Sequence, residues 1–208
     1  MALFTDCNKH PEAIPKSGEP IGASMFDDFL KTVSTEIGVV LNSVKAENAA
    51  ELVQSILKAQ RIIVHGAGRV GLACKGFAMR LGHLGIEAYT VGDSTIPPVG
   101  KGDLVIVASS SGETQSVYDV AVLAKARGAH VAAITAIPYS RIAKMAESLL
   151  VIKAPTKFGP IEGIDSIQPM ASLFEQSLQI FFDIIVLMLM KETHQTHYDL
   201  WARHANLD

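Results

Sequence analysis

The sequence predicts a doubly wound α/β fold built on a five-stranded parallel sheet. Five short runs between residues 61 and 153 are continuously apolar and rich in β-branched residues, as expected of strands covered on both faces. Helical patterns with short connections alternate with them, which gives parallel strands joined by crossovers. Gly85 and Gly128 stand where two of those helical patterns stop, the position that favours a left-handed residue.

Taken in order, residues 1–24 hold Pro11, Pro15 and Pro20 without periodicity and predict a flexible leader, leaving 25–208 as a single domain. From Met25 to Gln60 apolar residues recur at helical spacing: Phe26, Phe29, Leu30, Val33, Ile37, Val40 and Leu41. Asn48 is the expected break, with Leu52, Ile56 and Leu57 on a second helix. "RIIVHG" (61–66) is the first strand, and a helix over 69–83 ends at Gly85. "EAYTVG" (87–92) and "DLVIVAS" (103–109) are strands two and three, followed by a helix over 114–127. "HVAAIT" (130–135), a short helix over 140–147 and "SLLVIK" (148–153) complete the sheet. A loop over 154–168, a hydrophobic helix over 169–192 and a polar, His-rich tail over 193–208 close the chain.

At 208 residues, 49% hydrophobic and 19% charged, the chain can bury a substantial core. A net charge of −3 with no Lys/Arg run gives no sign of a nucleic-acid or anionic-membrane partner. "MALF" soon meets Asp6 and Pro11, which is not a signal peptide. Cys7 and Cys74 lack metal-site spacing and read as free thiols in a reducing cytoplasm. The apolar run Ile184 to Met190, even extended through Phe181 and Phe182, is too short to span a bilayer. A helix apolar on nearly every side is buried centrally or between subunits, so an oligomer is expected.

Gly66-x-Gly68-x-x-Gly71 has the spacing of a dinucleotide fingerprint. Such a site needs an acid near the end of the second strand; Glu87 begins that strand and Asp93 lies just past it. The long helical layer before strand one and the little room for a substrate domain count against a nicotinamide site. A better anion site is "ASSSGETQSV" (108–117), which joins strand three to a helix. Backbone N–H groups and the dipole at a helix start favour a phosphate dianion. Ser109, Ser110, Ser111 and Thr114 add hydroxyls, and Gly112 permits close approach. A simple helix cap is the plainer alternative, but one hydroxyl would suffice for it.

Ser109-x-Ser111-Gly112-x-Thr114 resembles the phosphosugar loop of the SIS (sugar isomerase) domain family. Segments 66–85, 91–106, 166–176 ("SIQPMASLFEQ") and 203–208 ("RHANLD") add a resemblance to its 6-phospho-3-hexuloisomerase branch, over residues 26–208. The resemblance implies an SIS-type three-layer α/β/α sandwich with a flavodoxin-like sheet, in a cytoplasmic homotetramer (a dimer of dimers). It implies interconversion of D-arabino-hex-3-ulose 6-phosphate and fructose 6-phosphate, without nucleotide or metal. That reaction belongs to the ribulose monophosphate route of formaldehyde assimilation. Val70 replaces a serine common in the family, "SSSGET" lacks a frequent second glycine, and the leader is additional. These departures bear on the substrate more than on the fold.

Moving a carbonyl along a sugar needs a base, an oxyanion stabiliser and a remote phosphate anchor. Glu175 matches the family's proton acceptor. Its neighbours Leu173, Phe174 and Leu178 predict an apolar, desolvated setting that would raise its proton affinity. Its plain alternatives are a dipole-favoured acid in a first turn and a solvated surface residue. The resemblance makes Arg69, Ser109, Ser110, Ser111, Gly112, Glu113 and Thr114 the substrate-binding set. His83, in a helix's last turn, matches by analogy a histidine that assists sugar-ring opening in related isomerases. His204, in the tail, is expected either in solvent or closing over a site, its own or a neighbour's. His65 reads as a core or supporting histidine. His194 and His197 could share a metal on one turn but lack a third ligand. An SIS isomerase for an aldose–ketose pair and a non-catalytic phosphosugar sensor remain as other readings; a sensor needs no base.

Overall fold

The computed structural model describes residues 22–207. Its strands are β1 (Ile62–Gly66), β2 (Ala88–Thr90), β3 (Leu104–Ala108), β4 (His130–Thr135) and β5 (Ser148–Val151). All are parallel and lie in the order β2-β1-β3-β4-β5. The helices are α1 (Ala23–Asn42), α2 (Ala46–Lys58), α3 (Gly68–His83), α4 (Gln115–Ala126), α5 (Arg141–Met145), α6 (Ser172–Glu192) and α7 (His197–Trp201).

Alternation along each strand sorts the core into two layers. Ile62, Val64, Leu104 and Ile106 face the side covered by α1, α2, α3 and α6. Ile63, Val105 and Val107 face the side covered by α4 and α5. In the thicker layer Phe77 of α3 stacks on Phe182 of α6 at 4.1 Å between ring centroids, both fully buried. Each ring of that kind contributes about 1.5–3 kcal/mol through burial. The amino ends of β1 and β3 are locked by Asp103, whose buried carboxylate accepts from Arg61 Nε at 2.9 Å, Arg61 Nη2 at 3.0 Å and Gly100 N at 2.8 Å.

Several boundaries differ from those expected. The first helical break falls over residues 43–45, not at Asn48; Ser43 Oγ donates to Val40 O and closes α1. Asn48 sits inside α2, its amide donating to Leu149 O at 3.2 Å. Helix α1 starts at Ala23, inside the segment assigned to the leader; the rest of that segment, residues 1–21, lies outside the described residues. The tail contains a helical turn, α7, fixed by reciprocal Thr196 and Asp199 capping bonds. Helix α6 is 21 residues long with a mean hydropathy of 1.7 over its most apolar window, enough by length and composition to cross a membrane. The expectation of too short a span counted only its uninterrupted apolar run. Half of that window is buried inside the chain, against α1, α2 and α3.

Candidate active site

Strands β1 and β3 are neighbours, yet the helices that follow them, α3 and α4, cover opposite faces. Open α/β sheets form a ligand crevice at such a point, outside the strands' carboxyl ends. Gly66 and Ala108 are in register, so the glycine turn and the serine loop leave the sheet side by side.

The glycine turn serves packing. A Cβ on Gly71 would lie 2.7 Å from Gly66 O, and one on Gly66 would lie 2.8 Å from Val70 Cγ1. Gly68, at φ +59°, takes the left-handed conformation that opens α3. Asp93, the acid placed for a ribose, accepts instead from Thr90 N at 2.8 Å and closes its own turn.

The serine loop is folded upon itself. Ser109 Oγ and Thr114 Oγ1 share a hydrogen bond at 3.0 Å, and Gly112 N donates to Ser109 Oγ at 3.2 Å. Ser111 Oγ accepts from Glu113 N at 3.2 Å. Ser110 O accepts from Ala136 N at 3.0 Å and Thr135 Oγ1 at 3.2 Å, which fixes the loop to the end of β4. Gly112 is at φ +64°, and a Cβ there would overlap Ser140. Thr114 is the N-cap residue of α4, but among the described residues no side chain caps that helix. Three serines with exposures of 4–9% therefore surround an uncapped helix start. Glu113 points elsewhere: it accepts from Arg141 N at 3.0 Å and pairs with Arg141 Nε at 3.2 Å. It fastens α5 to the loop.

Helix α6 brings Glu175 to the glycine turn. Arg69 Nε lies 3.1 Å from Glu175 Oε2, and Arg69 Nη1 donates to Ser172 Oγ at 3.3 Å. The Glu175 side chain is 17% exposed, against 59% for Arg69. The expectation of an apolar setting is thus corrected: Leu173, Phe174 and Leu178 go into the core, while the carboxylate faces a guanidinium.

His83 and His204 form a separate cluster. Their rings lie 5.2 Å apart, and His204 stacks on Trp201 of α7 at 5.5 Å. Arg203 Nη1 donates to His83 O at 3.1 Å, and Arg80 Nη1 is 3.2 Å from His83 Nδ1. Burial, then the charges of Arg80 and His204, lower the pKa of His83 below the ordinary 6.5. Arg69 and His83 occupy opposite ends of α3, about 21 Å apart at 1.5 Å per residue. Within one chain the structure does not bring these histidines to Glu175. His65, at the carboxyl end of β1, lines a cavity of about 270 Å³ with Gly68, Lys75 and Thr90, and its buried Nε2 has no hydrogen-bond partner among the described residues. Burial lowers its pKa as well. Among the described residues no group of three or more His, Cys, Asp or Glu side chains could hold a metal.

The SIS domain model matches residues 55–180, from α2 to the middle of α6, including the serine loop, Arg69 and Glu175. The chain belongs to the SIS domain family. This SIS chain is 41% identical over 181 residues to 3-hexulose-6-phosphate isomerase of Bacillus subtilis (strain 168), covering 87% of this chain and 98% of that one. The 3-hexulose-6-phosphate isomerase of Mycobacterium gastri is 38% identical over 179 residues, covering 86% and 89% respectively. A solved structure from Methanococcus jannaschii, described as inferring a molecular function of 3-hexulose-6-phosphate isomerase, superimposes with a TM-score of 0.77. It is 31% identical, with 87% of this chain and 99% of that chain covered. These relatives place the SIS chain among sugar-phosphate isomerases.

Proposed function

We propose that this chain interconverts D-arabino-hex-3-ulose 6-phosphate and fructose 6-phosphate, as a step of the ribulose monophosphate route. The observation that carries the reading is the shared sheet edge: the uncapped Ser109–Thr114 cradle stands beside the Arg69–Glu175 pair. The cradle anchors the sugar's phosphate, and its binding energy positions the distant carbons. Glu175 then removes the proton on C2 of the 3-keto sugar, and the electron pair moves to form a C2–C3 enediolate. Return of a proton to C3, with transfer of the hydroxyl proton from O2 to O3, leaves the carbonyl at C2. Once Glu175 is protonated, Arg69 loses its anionic partner and its charge is free to face the enediolate oxygen.

The names of the Bacillus and Mycobacterium relatives support this choice of sugar. The exposed Phe26, Phe29 and Leu30 of α1 and Leu187 of α6 support self-association, and in this reading the assembly is a cytoplasmic homotetramer, a dimer of dimers. In that assembly His83 and His204 serve a neighbouring subunit's site. Neither a nucleic acid nor a membrane is a partner in this reading.

The test is incubation with enzymatically generated hexulose 6-phosphate. Formation of fructose 6-phosphate above a no-enzyme control is expected. Folded protein that converts only an aldose–ketose phosphate pair moves the assignment to that substrate class. Folded protein that converts neither removes it.

A further inference from the structure

We propose that Glu36 of α1 is a positioning residue that sets the first turn of α6, and with it Glu175. The carboxylate gathers three donors from one segment: Glu36 Oε2 accepts from Ser166 Oγ at 2.7 Å and Gln168 Nε2 at 2.9 Å, and Oε1 accepts from Ile167 N at 2.9 Å. Ser166 Oγ also accepts from Gln168 N at 3.0 Å, so the turn closes on the same point. Hydrogen bonds to an ionised acceptor are short and about twice as strong as neutral ones. Among the described residues, the preceding loop forms two local bridges, Thr156 with Gly159 and Ile161 with Ile164.

Between this clamp and α6 stands Met170 at φ 58°, a left-handed conformation unfavourable for a residue with a Cβ. Such a conformation persists where its surroundings over-determine it. Met170 is 68% exposed, so its own packing does not hold it. The flanks do: Glu36 grips residues 166–168, and Arg69 grips Ser172 and Glu175. Releasing the first grip lets the backbone relax and displaces Glu175. A misplacement of 1 Å at a reacting group costs on the order of 100-fold in rate.

The inference rests on the reading of Glu175 as the proton-transferring group, and a double-mutant cycle separates the two. The variants are Glu36→Ala, the milder Glu36→Gln that keeps one acceptor for Ile167 N, Glu175→Gln, and each Glu36 change combined with Glu175→Gln. Folding is followed by thermal melting. Glu36→Ala should lower kcat by about tenfold to 100-fold with KM nearly unchanged, since the phosphate cradle is untouched. Glu36→Gln should fall between it and the wild type. Neither change should lower kcat further once Glu175 is Gln, because a residue acting through another adds nothing after that one is lost. A wild-type kcat in folded Glu36→Gln and Glu36→Ala overturns the inference, as does a full multiplicative loss in the Glu175→Gln background. A wild-type kcat in Glu175→Gln instead overturns the role given to Glu175.

Discussion

Arg69 Nε and Glu175 Oε2, 3.1 Å apart, join the start of α3 to the start of α6. The same guanidinium reaches Ser172 Oγ, 103 residues along the chain. One fork therefore orients the carboxylate and the turn that carries it. A planar guanidinium can hold two partners at once, whereas an ammonium presents a point charge. Arg69→Lys should consequently keep part of the activity that Arg69→Ala loses. Loss of a hydrogen bond to a charged group, about 1.5–3 kcal/mol, corresponds to roughly a tenfold to 150-fold fall in kcat/KM for the alanine variant. Steady-state kinetics with hexulose 6-phosphate measures it. Equal activity of Arg69→Ala and the wild type would leave the ion pair without a catalytic part.

The serine loop makes a different demand, on binding. Ser109, Ser111 and Thr114 hydroxyls bond to one another or to the loop's backbone, so the proposed phosphate cradle is already organised in the free chain. Ser109→Ala, Ser111→Ala or Thr114→Ala should each weaken phosphosugar binding by about tenfold to 100-fold. Calorimetric titration with fructose 6-phosphate reads this directly. Folded variants with wild-type affinity would reduce the loop to a strand–helix connection.

The middle of the sheet is legible in the sequence because β1, β3 and β4 centre on uninterrupted apolar runs, residues 62–64, 104–108 and 131–134, as burial on both faces requires. The end of α1 is not legible: Ser43, Val44 and Lys45 include neither Gly nor Pro, and the stop is made by a serine hydroxyl. A capping signal, Thr196 followed three residues later by Asp199, marks α7, but the tail's polarity conceals it. The serine loop is legible as local chemistry. The Arg69–Glu175 pair and the grip of Glu36 on residues 166–168 are long-range contacts that no spacing encodes. The separation of His83 from Glu175 follows from topology alone, since the two ends of α3 lie at opposite edges of the sheet.

One buried and one half-buried imidazole predict acid sensitivity. Burial lowers the pKa of His65, and burial followed by Arg80 and His204 lowers that of His83, both from an ordinary 6.5. As pH falls through that value the unfolded chain takes up protons while the folded chain does not, so unfolding is increasingly favoured. Stability should be full above about pH 6.5 and decline below it, until the folded imidazoles protonate too. Denaturant unfolding at pH 7.5 and 5.5 should show a smaller decline for His83→Gln than for the wild type. Identical declines would remove His83 from the account.

In the proposed reaction the chemical step turns on Glu175. Glu175→Gln keeps the shape and one acceptor for Arg69 but cannot take a proton. Turnover should fall by at least the roughly 10²–10⁴ typical of losing a general base. The phosphate cradle is untouched, so the loss should appear in kcat and leave KM nearly unchanged. If one carboxylate removes a proton from one carbon and returns it to the next, its hydrogen can exchange with solvent between the two events. Turnover in heavy water should place deuterium at C3 of fructose 6-phosphate or C2 of hexulose 6-phosphate, according to direction, to the extent that exchange outruns return. Mass spectrometry of the product reads the label. A Glu175→Gln enzyme with wild-type kcat would shift the proton transfer to His83 and His204. Given the length of α3 between them and Arg69, those histidines could act only at a neighbouring subunit's crevice. Activity would then depend on assembly, and dilution below the dissociation range of the oligomer would abolish it.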